Sequence, residues 1–188
     1  GNVQSYTGRQ PAGRRSVKNM IAIFLDIDGV LLPFGEAEGG RASTAEKRTF
    51  RPEALNALAT ILREIDGATL VLSSTWRCGG GAEEVLRQFQ AWGGGGALGA
   101  MSHFEHTTSL TMHSHRAWEI AAWLKDPTSP AVSAWIALDD EPLLDDGVEG
   151  SALARYGALF AGHVVQTESS TGLTADDAAQ AIRLLRAT

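Results

Sequence analysis

Residues 21–30, Ile-Ala-Ile-Phe-Leu-Asp-Ile-Asp-Gly-Val, constrain this chain most, because an unbroken apolar run ends in two carboxylates spaced i and i+2. Ile, Phe and Leu without polar alternation make a strand buried on both faces, as in a parallel sheet covered by helices. Asp26 and Asp28 then stand at its C-terminal edge, where open α/β sheets bind ligands. Side chains alternate along an extended chain, so both acids can face one site while Ile27 returns to the core. Asp28-Gly29 is also ordinary turn chemistry, and the rest of the chain has to decide between a turn and a site.

Two further apolar runs end the same way. Leu70-Val71-Leu72 leads into Ser73-Ser74-Thr75-Trp76-Arg77, and hydroxyls with free N–H groups beyond a strand end suit phosphate oxygens. Trp135-Ile136-Ala137-Leu138 leads into Asp139-Asp140-Glu141. A site built from Asp26, Asp28 and Asp139 or Asp140 repels itself unless a cation is present. Oxygen ligands with no His or Cys among them suit Mg²⁺. Asp145 and Asp146 lie too far into the following loop to be assigned.

Between these motifs, apolar runs alternate with helical patterns, the sign of a doubly wound α/β fold with a mainly parallel sheet and helices on both faces. Pro52 opens a helix whose Leu55, Leu58, Leu62 and Ile65 recur at 3, 4, 3 spacing, and Asp66-Gly67 stops it. The pattern predicts a strand over 68–73, a helix over 82–92, and a connector at Gly93 to Gly96 that lacks the context of a nucleotide-binding loop. A third, poorly defined strand is expected within 97–110. A helix over 114–125 follows, with Trp118, Ala121, Ala122 and Leu124 available for burial, and Pro127 and Pro130 break the chain after it. Strands are expected over 134–138 and 163–167. Thr174 with Asp177 forms a capping box for a last helix that turns Ile182 and Leu185 to the core.

A chain of 188 residues with 44% apolar content is close to one ordinary domain. No apolar stretch approaches the ~20 residues needed to span a bilayer, and no secretory segment precedes Asp26, so a soluble, cytoplasmic protein is expected. Residues 1–19 lack periodicity and read as a flexible tail, with Met20 as a candidate natural start and 20–188 as a single catalytic domain. That tail holds Arg9, Arg14, Arg15 and Lys18, leaving 12 basic against 22 acidic residues beyond it. Such a body argues against broad nucleic-acid binding, although Arg41, Lys47, Arg48 and Arg51 form a local basic stretch, either a lip beside the site or a solvated loop. The single Cys78 has no partner for a disulfide or a zinc site, and Glu84 occupies the place where a cysteine phosphatase needs arginine.

The three motifs together resemble the haloacid dehalogenase-like (HAD) phosphatase superfamily, over nearly the whole chain from Met20. The resemblance implies that Asp26 is the nucleophile, that Asp28 is the general acid and base, and that Ser73 holds the transferring phosphoryl group. It implies Mg²⁺ bound by Asp26, the Asp28 backbone carbonyl, Asp139 and Asp140. The pattern also asks for a lysine or arginine at the start of the helix before the acidic strand. Lys125 is the only lysine in the interval, but at 1.5 Å rise per residue it lies roughly 14 Å from the helix start. Arg116 is better placed, and its planar fork can bind phosphate bidentately.

The spacing leaves no room for a folded cap domain, and an open site favours a bulky substrate such as a nucleic-acid end or a phosphoprotein. Residues 73–77, with the closing stretch from His163 through Gly172-Leu173-Thr174 to Leu185, are similar to the HAD domains of multi-domain RNA-repair proteins. That likeness implies phosphate removal at RNA ends. A dehalogenase would have no use for Asp28 and the acidic pair. A receiver-type phospho-accepting module has no reason for a second acid at i+2. A catalytically silent binding domain is the remaining alternative, and the full set of carboxylates weighs against it.

Overall fold

The first apolar run forms the middle of the sheet. In the computed structural model, which describes residues 19–34, 49–109, 115–144 and 152–187, strand β1 (Met20–Leu25) pairs in parallel with β2 (Ala68–Leu72) on one side and β4 (Val132–Asp139) on the other. A two-residue β3 (His106–Thr107) joins β2, and β5 (Val164–Gln166) joins β4, which gives the order β3-β2-β1-β4-β5 with every pairing parallel. The chain therefore winds outward from β1 in one direction, then returns to start outward in the other. Between β1 and β4 lies the reversal point at which sheets of this kind open a crevice.

Alternation along β1 builds two cores. Ile23 and Leu25 face the layer formed by α1 (Pro52–Glu64), α2 (Gly81–Ala91), α3 (Gly96–Ala100) and α6 (Ala175–Ala187). Ala22 and Phe24 face the layer of α4 (Arg116–Lys125) and α5 (Ala152–Phe160). Phe24 sits between two indoles, its ring meeting Trp123 edge-on at 5.3 Å and Trp135 edge-on at 5.7 Å between centroids, the geometry that aromatic quadrupoles favour. Pro52 occupies the first turn of α1, whose Leu55, Leu58 and Ile61 are buried. Thr174 caps α6 as expected: the Asp177 N–H donates to Thr174 Oγ1 at 3.2 Å, and the Thr174 N–H donates back to Asp177 Oδ2 at 2.8 Å.

Four expectations change. The glycine connector ends early, because Gly96 begins α3 so that Leu98 can be fully buried. Helix α4 starts two residues after the expected position, and Ser114 lies outside the described residues. Trp118 is 40% exposed, and Trp123 takes the buried place beside Phe24. Helix α5 has no counterpart in the sequence pattern, where Gly157 interrupts its short apolar run.

Among the described residues no helix is long and apolar enough to cross a membrane. The tail 1–18 and the basic residues Arg41, Lys47 and Arg48 lie outside the described residues, as does the rest of the segment 35–48. Phe24→Ala empties a site walled by two indoles and should lower stability by about 3–5 kcal/mol in equilibrium urea unfolding. Trp118→Ala, at an exposed position, should stay within about 0.5 kcal/mol of the parent.

Candidate functional site

The strand register carries through the C-terminal ends of β1, β2 and β4 and lines up Asp26 and Ser73, one step past their strands, with Asp139, the last residue of β4. The Ser73 N–H donates to Leu25 O at 3.0 Å, and the Asp26 N–H donates to Leu138 O at 3.0 Å. Ser73, Asp26 and Asp139 are thereby neighbours across three strands. They follow Leu72, Leu25 and Leu138, all of the α1 layer, so alternation turns their side chains toward α4.

There Arg116, the first residue of α4, meets them. Its Nη1 lies 2.8 Å from Asp26 Oδ1 and 3.1 Å from Asp139 Oδ2, with all three side chains buried. Burial opposes the guanidinium charge, but the carboxylates of Asp139 and Asp26 outweigh it and raise the Arg116 pKa above its ordinary value. Arg116 is therefore a permanent cation. Asp139 moves for a different reason: burial drives its pKa well above the usual carboxylate range, against the pull of Arg116 and with the help of the Asp26 charge.

Asp140 completes the acidic group. One oxygen from each of Asp26, Asp139 and Asp140 lies within 4.8 Å of the others, a set of hard oxygen donors suited to Mg²⁺. Ser169 Oγ donates to Asp140 Oδ2 at 2.8 Å, and the Glu141 N–H donates to Asp139 Oδ1 at 3.0 Å. Gly29 lets the first loop close on Asp140. Its φ is +72°, and a Cβ there would overlap the Asp140 carboxyl, so only glycine fits. Thr167 Oγ1 fixes that turn by donating to Gly29 O at 2.8 Å.

Asp28 stands apart from the cluster. Its Oδ2 accepts a hydrogen bond from Trp76 Nε1 at 3.0 Å, so its carboxylate faces the loop after β2 while Ile27 is fully buried between the two acids. The carboxylates that converge are thus Asp26, Asp139 and Asp140, without that of Asp28. Ser73 Oγ is fully buried with no hydrogen-bond partner among the described residues. An unfulfilled hydroxyl beside Asp26 fits a missing oxygen ligand such as a phosphoryl group. Lys125 sits at the far end of α4, its Nζ 5.7 Å from the centre of the Tyr156 ring. Cys78 is exposed and free. Arg51 is exposed and donates to Thr171 O at 3.4 Å.

Sequence reasoning missed the ion pair behind Arg116. Arg77 Nη2 lies 2.7 Å from Glu119 Oε2, both side chains are 4% exposed, and Glu119 lies 4.0 Å from Arg116 Nε. Arg77 also donates to the backbone carbonyls of Ser73 and Ser74. The i, i+3 spacing of Arg116 and Glu119 was a visible helical pair, but nothing local joined it to Arg77.

Neither a curated protein nor a solved structure matches the chain. A family model does, the HAD domain in Swiss Army Knife RNA repair proteins, over residues 22–178. That span includes Asp26, Ser73, Arg116, Asp139 and Asp140, and the all-parallel sheet between helical layers is the Rossmann-like core that such domains share. The chain belongs to this family of HAD domains, within the phosphatase-type hydrolase superfamily.

Proposed function

We propose that this chain is a Mg²⁺-dependent phosphomonoester hydrolase that works through an aspartyl-phosphate intermediate. The observation that carries this reading is the convergence of Asp26, Asp139 and Asp140 within 4.8 Å, with Arg116 bridging Asp26 and Asp139. Asp26, Asp139, Asp140 and the Asp28 backbone carbonyl would hold Mg²⁺, which when bound screens the approach of a carboxylate to a phosphate dianion.

The chain's own residues divide the remaining work. Asp26 attacks phosphorus in line, which splits one difficult displacement into two easier ones. The Ser73 hydroxyl and the Arg116 guanidinium orient the phosphoryl oxygens and offset their charge. Asp28, held outside the metal cluster, gives a proton to the leaving oxygen and then takes one from the attacking water. Its separation from the metal carboxylates supports this division, because an acid engaged by a cation is a poor proton carrier.

The family description favours a phosphorylated RNA end as substrate over a phosphoprotein or a small metabolite. A screen of 3′- and 5′-phosphorylated oligoribonucleotides against phosphopeptides and metabolites tests that choice. The protein is expected to act in the cytoplasm, with 20–188 as one domain. A phospho-accepting regulatory domain is the alternative, and stable phosphorylation without turnover would identify it.

Hydrolysis of p-nitrophenyl phosphate should require Mg²⁺ or a close substitute, and full activity in excess chelator would remove the metal assignment. Asp26→Asn should abolish turnover, since an amide is a poor nucleophile. Arg116→Ala should lower turnover by about 10²-fold or more, as expected for the loss of a charged transition-state contact, and Lys125→Ala should change it little. A crippled lysine variant beside a healthy arginine variant would reverse the assignment.

A further inference from the structure

Trp76 ties the loop after β2 to the first motif. Its indole N–H donates to Asp28 Oδ2 at 3.0 Å. The half-buried ring packs against Phe50, with centroids 5.7 Å apart, and the buried Phe50 is itself fixed by its N–H on Gln88 Oε1 at 2.7 Å. Behind the loop, Gly81 approaches so closely that a Cβ there would overlap the Trp76 carbonyl. Below it, Ser74 Oγ accepts the Trp76 backbone N–H at 3.4 Å. The indole is held on several sides before it reaches Asp28. An indole N–H away from bulk water needs an acceptor, and the acceptor here is the acid two residues from Asp26.

We propose that Trp76 is a positioning residue for Asp28, its indole N–H holding one carboxylate oxygen and so fixing the plane of the group that exchanges the proton. The proposal rests on the phosphatase reading. As the Asp26 carboxylate bonds to phosphorus, the bond from phosphorus to the leaving oxygen breaks. Its electron pair stays on that oxygen, which takes the proton from Asp28. Water then attacks phosphorus and frees Asp26, its proton passes to Asp28, and alcohol and inorganic phosphate are released. A donor on Oδ2 serves Asp28 in both states, because a proton carried on Oδ1 leaves Oδ2 an acceptor throughout. The carboxylate plane thus stays fixed through both half-reactions.

The leaving group separates this role from a structural one. An alkoxide must be protonated as it departs, whereas p-nitrophenolate departs as an anion. In the full chain with Mg²⁺, Trp76→Phe keeps an aromatic ring beside Phe50 and removes the N–H together with part of the indole. Its kcat/KM, which reports the first half-reaction, should fall about 10-fold or more with glycerol phosphate but less than about threefold with p-nitrophenyl phosphate. Equal losses on the two substrates, or no loss on either, would overturn the proposal. A parent protein inert toward both would instead overturn the phosphatase reading. NMR tests the contact even if the variant does not fold. Of the five tryptophan side chains, one should show an indole N–H resonance that shifts on Asp28→Asn, and five unmoved resonances would overturn the contact.

Discussion

One nitrogen of Arg116 between the carboxylates of Asp26 and Asp139 holds the functional end of this fold together. Parallel pairing of β1 with β4 in the register Leu25↔Leu138 makes the two acids neighbours whatever their charge. Carboxylate oxygens within 4.8 Å of one another repel by at least about 3 kcal/mol at the effective dielectric of a protein site. The guanidinium removes part of that repulsion, and its position follows from topology. A helix entering a parallel strand at its N-terminal end must itself begin at the opposite edge, where the strands finish.

The same logic extends one layer back. Helix α4 carries Arg116 and Glu119 in its first turn, and Glu119 receives Arg77 from the loop that follows β2. Arg77 in turn grips the carbonyls of Ser73 and Ser74. The Ser73 hydroxyl and the Arg116 guanidinium are therefore set relative to each other by one buried pair. Beneath them, Ala117, Ile120 and Trp123 seat α4 on Phe24. Buried ion pairs add little net stability, because desolvation offsets the Coulomb gain. So many charged groups under one sheet edge are better explained by the site they build than by the stability of the fold.

How much was legible in the sequence depends on how local each signal is. Strands β1, β2 and β4 declared themselves because an apolar run that ends in a polar group is read within ten residues, and Asp26, Ser73, Asp139 and Asp140 came with them. Arg116 required one further rule, the direction of helices in parallel sheets, and the structure places it among the acids. Arg77 with Glu119, and Trp76 with Asp28, join residues 42 and 48 positions apart, and no periodicity encodes such pairs. Trp118 and Trp123 show the limit within one helix. Both are large and apolar, and only the packing of α4 against Phe24 decides which is buried.

The charges at the sheet edge also bear on the substrate. If all three clustered acids are ionised, they and Arg116 leave two negative charges, which one divalent cation cancels. Without a cation, burial favours a neutral Asp139 against the pull of Arg116, so a metal would have to displace a proton there. On the proposed reading, a phosphate dianion would then enter a site with no net repulsion of its own, in a body where acidic residues outnumber basic ones. Long-range attraction would do little for a polyanion approaching such a protein. Affinity for an RNA end would have to arise at short range, from contacts made only once the terminal phosphate has reached Ser73 and Arg116. Selection of that kind favours ends over internal phosphodiesters, because a diester presents one charge fewer and cannot place three free oxygens in the site.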